Sequence, residues 1–233
     1  MILFFLSHAG GSAKSYSSFK RFLPKDLTVV PLELSGRFTR SSEAMLTDIP
    51  SCAADLLQKH SELIRDGEYA LFGHSMGTLM ASELVRQAKE QGLGSPAHVF
   101  LSGRCAPDEP VKCFPGSDKA SDEAIIEFFS ANSLSGSAHI ADEELARTLN
   151  RILCIDVRMA NSFSMAASEL DFGCDITVLY GTEDIMLKNT DINGWSRFTS
   201  GRCETVPMSG GHFYYQQHKE EVCRIICRKL GLE

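Results

Sequence analysis

The sequence has no apolar run long enough to cross a bilayer. The longest, Met1–Leu6, has six residues, against the roughly 18 that a spanning helix needs. It does not read as a signal peptide either, because it lacks a basic lead and runs almost directly into Gly10-Gly11. Basic residues are in the minority, with 23 Lys and Arg against 30 Asp and Glu and a formal charge of −7. That deficit argues against non-specific nucleic-acid binding, which depends on basic surface. Repeats, long charge runs and low-complexity tracts are missing, so fibrous and wholly disordered classes are excluded. Neither G-x-x-x-x-G-K-[ST] nor G-x-G-x-x-G occurs, which removes the common phosphate-cradling loops.

Cysteine is plentiful, but its eight residues are dispersed. A chain of 233 residues can bury a core without staples, so no disulfide framework is needed. Cys223 and Cys227 stand at i, i+4 with no complementary His/Cys pair, which fits packing rather than zinc. The expectation is a reduced, cytoplasmic protein with no metal or cofactor of its own.

Short apolar segments alternate with helical ones. Strands are expected at Ile2–Leu6, Thr28–Leu32, Tyr69–Gly73, His98–Ser102, Ile176–Tyr180 and Glu204–Met208. Apolar residues at helical spacing predict helices over Ser15–Leu23, Ile49–Ile64, Met76–Lys89 and Tyr215–Leu230. This order implies an α/β fold, a mostly parallel sheet flanked by helices. From Ala106 to Leu170 no strand is evident. A Pro- and Gly-containing loop (Pro107, Pro110, Pro115, Gly116) leads to helical pieces at Glu123–Ser130 and Glu143–Met159, separated by a Ser/Gly-rich stretch over Ser133–Ala138. About 60 residues scarcely supply an independent core. We therefore expect one domain over 1–233, with 106–170 as a helical lid inserted into it.

The chemistry is concentrated in Gly73-His74-Ser75-Met76-Gly77, a G-x-S-x-G between a strand-like and a helix-like segment. A nucleophile elbow belongs at such a junction, projecting a serine from a sharp turn. A serine hydroxyl needs a base held by a third group, and in this arrangement acid and then base follow the serine. Of seven histidines, His8, His60, His74, His98 and His139 precede the plausible acids, leaving His212 and His218. His212 sits in the glycine loop Ser209-Gly210-Gly211-His212-Phe213, whereas His218 falls within the expected last helix as a surface residue. Asp184, in Tyr180-Gly181-Thr182-Glu183-Asp184, follows a strand and emerges at the same sheet edge as Ser75, with Glu183 as its nearest rival. Asp156, Asp171 and Asp175 fall in the insertion, at its exit or at the wrong strand end. An oxyanion hole needs backbone N–H groups: one from Met76, the other from the loop Ser7-His8-Ala9-Gly10-Gly11 after the first strand.

Together, Ser7-His8-Ala9-Gly10-Gly11-Ser12, the Gly73–Gly77 elbow, Ser102-Gly103-Arg104-Cys105-Ala106-Pro107, Gly181-Thr182-Glu183-Asp184 and Gly210-Gly211-His212-Phe213-Tyr214 resemble the type II (external) thioesterases of polyketide and non-ribosomal peptide synthesis. The resemblance covers essentially the whole chain. It implies an α/β-hydrolase fold with a helical lid, and hydrolysis of acyl groups from the phosphopantetheine thiol of carrier proteins. It also implies Ser75, Asp184 and His212 as a triad and Ala9 and Met76 as oxyanion-hole donors. The phosphopantetheine belongs to the substrate. The family's Pro-Tyr or Pro-Pro before Ala-Gly-Gly is replaced here by Ser7-His8, and Phe163–Glu169 departs from its aromatic, Pro-rich stretch.

Phe128, Phe129, Leu134, Leu153 and Met159 of the lid are candidates to line an acyl pocket. Arg37, Arg40 and Arg104 are candidates to dock an acidic carrier. A monomer is expected, with no nucleic-acid or membrane partner. Two other functions compete: a free-standing small-ester hydrolase or acyltransferase, and a catalytically silent carrier-binding member of the fold.

Overall fold

In a computed structural model, the structure describes residues 1–109, 120–134 and 141–232. Six strands form one sheet: β1 (Ile2–Leu6), β2 (Thr28–Pro31), β3 (Tyr69–His74), β4 (His98–Ser102), β5 (Asp175–Gly181) and β6 (Cys203–Met208). Their spatial order is β2-β1-β3-β4-β5-β6, and every adjacent pair is parallel. The longer helices are α1 (Ile49–Asp66), α2 (Met76–Glu90), α3 (Asp122–Ala131) and α4 (Glu143–Ser162), with α5 (Tyr214–Gln217) and α6 (Lys219–Lys229) closing the chain.

The strands are apolar on both faces, and successive side chains go to opposite sides. Phe4, Leu6, Tyr69 and Leu71 pack with α1 and α2, while Leu3, Phe5, Ala70 and Phe72 pack with Tyr16, Phe19 and the final helix. Two covered faces explain why these strands read as continuous apolar runs rather than alternating ones. Parallel pairing puts the carboxyl ends of all six strands at one edge. The loops after β1, β3, β5 and β6 therefore converge there. The connection after β1 runs to β2 on one side and the connection after β3 runs to β4 on the other, so the carboxyl ends of β1 and β3 flank a topological switch point, where a crevice opens.

Two expectations are corrected. Residues Ala13–Arg21 form a 3₁₀ helix, not an α-helix; Ser15, Ser17 and Ser18 compete for backbone partners and weaken α-helix formation. The expected last helix is split at His218, which leaves helical geometry (φ −110°, ψ 35°). There His218 Nε2 meets Ser209 Oγ at 3.1 Å, so it is a junction residue rather than a mid-helix surface one. A further 3₁₀ stretch, Ile192–Phe198, carries the fully buried Trp195 and was not foreseen.

Between β4 and β5 stand α3 and α4, each opened by a side-chain cap: Ser121 accepts from Ala124 N–H, and Asp142 from Glu144 and Leu145 N–H. Ile125, Phe129, Leu134 and Leu153 form their own apolar cluster. The end of α4 instead joins the main core through Met159 and Ala160. Pro110, Pro115, Gly116 and residues 135–139 lie outside the described residues. Among the described residues, no helix is long and apolar enough to cross a membrane.

Candidate active site

Ser75 stands at the turn from β3 into α2 with φ 54° and ψ −115°. A non-glycine residue in that region is strained, and the strain persists only where surrounding packing enforces it. The enforcement is visible on both sides. A Cβ on Gly73 would come 2.3 Å from Gly77 O, and one on Gly77 would come 2.2 Å from Leu6 O. Only glycine lets α2 approach β1 and β3 this closely. Ser75 N–H donates to Ser102 O at 2.7 Å, tying the turn to the end of β4. Met76, at the first position of α2, presents its N–H at the electropositive end of that helix.

Two loops away, His212 Nδ1 and Asp184 Oδ2 are 2.8 Å apart, with both side chains almost fully shielded from solvent. Asp184 also accepts from Met186 N–H at 2.9 Å, which fixes the carboxylate. Neither Ser75 Oγ nor His212 Nε2 has a hydrogen-bond partner among the described residues. Catalytic contacts of this kind commonly tighten only around substrate. The His212 ring lies 4.8 Å from that of His74, so it packs directly against the elbow.

His8, His74 and His212 form a cluster. Burial, with His212 close by, holds the His74 imidazole well below its ordinary pKa. His8 is lowered to about 3 for the same reasons, burial first. Both are therefore neutral at pH 7. His74 Nδ1 bonds Ser102 Oγ at 2.8 Å, which in turn bonds Tyr214 OH at 2.6 Å. This relay ties the residue before Ser75 to the residue two after His212.

The loop after β1 lies against the same edge. Gly10 (φ +75°) donates its N–H to Asp156 Oδ2 at 2.8 Å, and Ala13 N–H reaches Glu33 Oε2 at 3.3 Å. Beside Ala9 lies a cavity of about 400 Å³, walled in part by His8, Leu134, Leu149, Leu153 and Phe213. Among the described residues, no group of three His, Cys, Asp or Glu side chains is arranged to hold a metal.

The remaining expected residues fare unevenly. Leu134 and Leu153 face the cavity. Phe128, Phe129 and Met159 are not among the residues that wall it; the two phenylalanines pack in the α3–α4 cluster, and Met159 is only 1% exposed in the main core. The proposed docking arginines are likewise corrected. Arg37 is 1% exposed and paired with Asp156. Arg40 is engaged by Asp55 and Glu43, and Arg104 is 8% exposed with Nη2 donating to Ala160 O at 3.3 Å. None offers a free guanidinium on the surface. Sequence reading missed the roles of His8, Ser102, Tyr214 and Asp156. For Asp156 a signal existed: it is an acidic residue inside the apolar stripe of α4, between Leu153 and Met159.

The family model for the thioesterase domain matches residues 1–230. Gramicidin S biosynthesis protein GrsT of Aneurinibacillus migulanus is 29% identical, with 99% of this chain and 89% of that protein aligned. The medium-chain S-acyl fatty acid synthase thioesterase of Rattus norvegicus is 27% identical over 91% of this chain and 81% of its own. The crystal structure of ClbQ, from the colibactin NRPS/PKS pathway, superposes with a TM-score of 0.90 at 27% identity, covering 99% and 96% of the two chains. The fold is that of the α/β-hydrolases.

Proposed function

Starting from the premise that this chain belongs to the thioesterase family and is a hydrolase of thioester bonds, we propose that it releases acyl groups from the phosphopantetheine arm of carrier proteins, clearing stalled or mis-primed polyketide or non-ribosomal peptide synthases. The relatives' roles in gramicidin S and colibactin pathways support that assignment of substrate.

The observation that carries the mechanism is the shielded Asp184–His212 hydrogen bond, with its imidazole packed on His74, the residue before a strained serine at the head of α2. In the proposed reaction His212 Nε2 takes the Ser75 proton as Oγ attacks the thioester carbonyl. Asp184 holds the imidazole tautomer and stabilises its charge. The N–H groups of Met76 and Ala9 receive the oxyanion. The thiolate of the arm departs and takes a proton from His212. Water, activated by the same histidine, then hydrolyses the acyl-Ser75 ester. The reaction needs no cofactor of the protein's own.

Replacing Ser75 with Ala is expected to abolish free-thiol release from an acyl-carrier protein, and undiminished turnover would refute the assignment. Higher turnover on a soluble p-nitrophenyl ester than on the carrier would favour a small-ester hydrolase. Failure of Ser75 to react with a fluorophosphonate would indicate a silent carrier-binding protein.

A further inference from the structure

We propose that Asp156 is a positioning residue for the oxyanion hole, acting from α4 through the Gly10 N–H, with Arg37 serving to compensate the buried carboxylate. The proposal rests on the reading of Ala9 N–H as an oxyanion donor.

Asp156 is fully buried, and its two oxygens are divided between two partners: Oδ2 accepts from Gly10 N–H at 2.8 Å, and Oδ1 pairs with Arg37 Nη1. Gly10 follows Ala9 directly, so fixing the Gly10 N–H fixes the plane of the Ala9–Gly10 peptide and with it the backbone torsion of Ala9. A second contact from α4 reinforces this. A Cβ on Gly10 would lie 3.3 Å from Leu153 Cδ1, so Leu153, one turn before Asp156, already rests on the Gly10 backbone. Three residues further along, Glu33 accepts from Ala13 N–H. The loop is thus pinned by buried carboxylates at two points beyond the proposed donor.

Arg37 is costly for what it returns. It is 1% exposed, and its Nε and Nη2 are buried with no hydrogen-bond partner among the described residues. A buried ion pair with unsatisfied donors is commonly no more stabilising than well-packed apolar residues of the same volume. Stability alone therefore accounts poorly for the pair, whereas orienting a buried acceptor under the Gly10 N–H accounts for it directly. Because Asp156 belongs to α4, seating that helix and aiming the Ala9 N–H become one event.

The test compares two double variants that both lack the ion pair. R37M/D156N keeps a carbonyl acceptor for Gly10 N–H, and R37M/D156L removes it at similar volume. With an acyl-carrier thioester, R37M/D156L is expected to lose about 10- to 100-fold in kcat with KM little changed, by analogy with loss of an oxyanion donor. R37M/D156N is expected to stay within about 3-fold of the wild-type kcat, since its acceptor remains. Equal kcat in the two folded variants would overturn the proposal. Hydrogen exchange covers the case in which the leucine variant does not fold. In the wild-type protein the Gly10 amide is expected to exchange as slowly as the interior of α4, and exchange at the rate of an exposed loop would overturn the proposal whichever variants fold. A Ser75→Ala protein run in parallel separates the two claims. If it retains turnover, the underlying mechanism fails; if it is dead while R37M/D156L matches wild type, only the positioning role fails.

Discussion

The backbone at Gly181 passes so close to Gly211 that a Cβ on Gly181 would stand 2.3 Å from the Gly211 carbonyl oxygen and 2.5 Å from that of Gly210. Gly181 ends β5 and leads to Asp184; Gly211 leads to His212. The acid loop and the base loop therefore lean on one another, and Glu183 N–H donating to Gly210 O at 3.0 Å adds a direct bond between them. Gly181→Ala is expected to push the loops apart, destabilise the fold by about 1–3 kcal/mol as overpacking does, and lower kcat by at least about tenfold through misplacement of His212. A Gly211→Ala protein is the contrast. Its new Cβ would find only Glu183 O, at 4.0 Å, so its melting temperature should stay near wild type. Thermal melts of the pair, with turnover of an acyl-carrier thioester, check both.

Gly77→Ala should be more damaging to the elbow. The added methyl would sit 2.2 Å from Leu6 O and 3.0 Å from Ser7 O, and backbone of β1 cannot yield as a flexible side chain would. Loss of fluorophosphonate labelling at Ser75 together with a lowered melting temperature is the expected result.

Ser102 is the shared partner of His74 and Tyr214. Ser102→Ala leaves the His74 Nδ1 and Tyr214 hydroxyl without it in a buried setting, at a cost of about 1–3 kcal/mol for each group left unsatisfied. Denaturant titration should show the loss in the midpoint, and kcat should fall because the base loop is no longer tied to the elbow.

The buried histidines give stability a pH dependence of definite sign. His8 has its pKa lowered to about 3 from 6.5, by burial and then by His212. Below pH 6.5 the unfolded chain therefore binds a proton that the folded one refuses. Stability is full above that pH and is lost as pH falls towards 3, by up to about 1.4 kcal/mol per pH unit for each such histidine. His8→Asn, which keeps an acceptor for Tyr215 OH, should flatten the slope between pH 6 and 4 by roughly that amount. Urea unfolding at three pH values measures it.

Arg40 tests the corrected view of the arginines. It is held by Asp55 at 2.7 Å and by Glu43, and donates to Glu33 O at 2.8 Å. Arg40→Ala is expected to lower the melting temperature while leaving KM for an acyl-carrier protein unchanged. A raised KM at unaltered stability would restore it to the docking surface.

The sequence alone determined the alternation of strands and helices and the serine elbow, and it pointed to Asp184 and His212, which the fold brings within hydrogen-bond distance. These are local matters: apolar runs between turn residues, glycines flanking a serine, and a chain order that puts acid and base after parallel strands and so at one sheet edge. Side-chain environment was not legible in this way. An arginine in a Gly-Arg-Phe-Thr-Arg segment reads as a surface cation, yet Arg37 is buried because Asp156, 119 residues away in sequence, comes to meet it. Phe128, Phe129 and Met159 read as pocket residues, but each rests on other apolar neighbours once α3 and α4 pack. Hydrophobicity specifies that a side chain is buried, not which of several apolar surfaces receives it. Only the tertiary structure decided that, and with it the connection from α4 to the loop bearing Ala9.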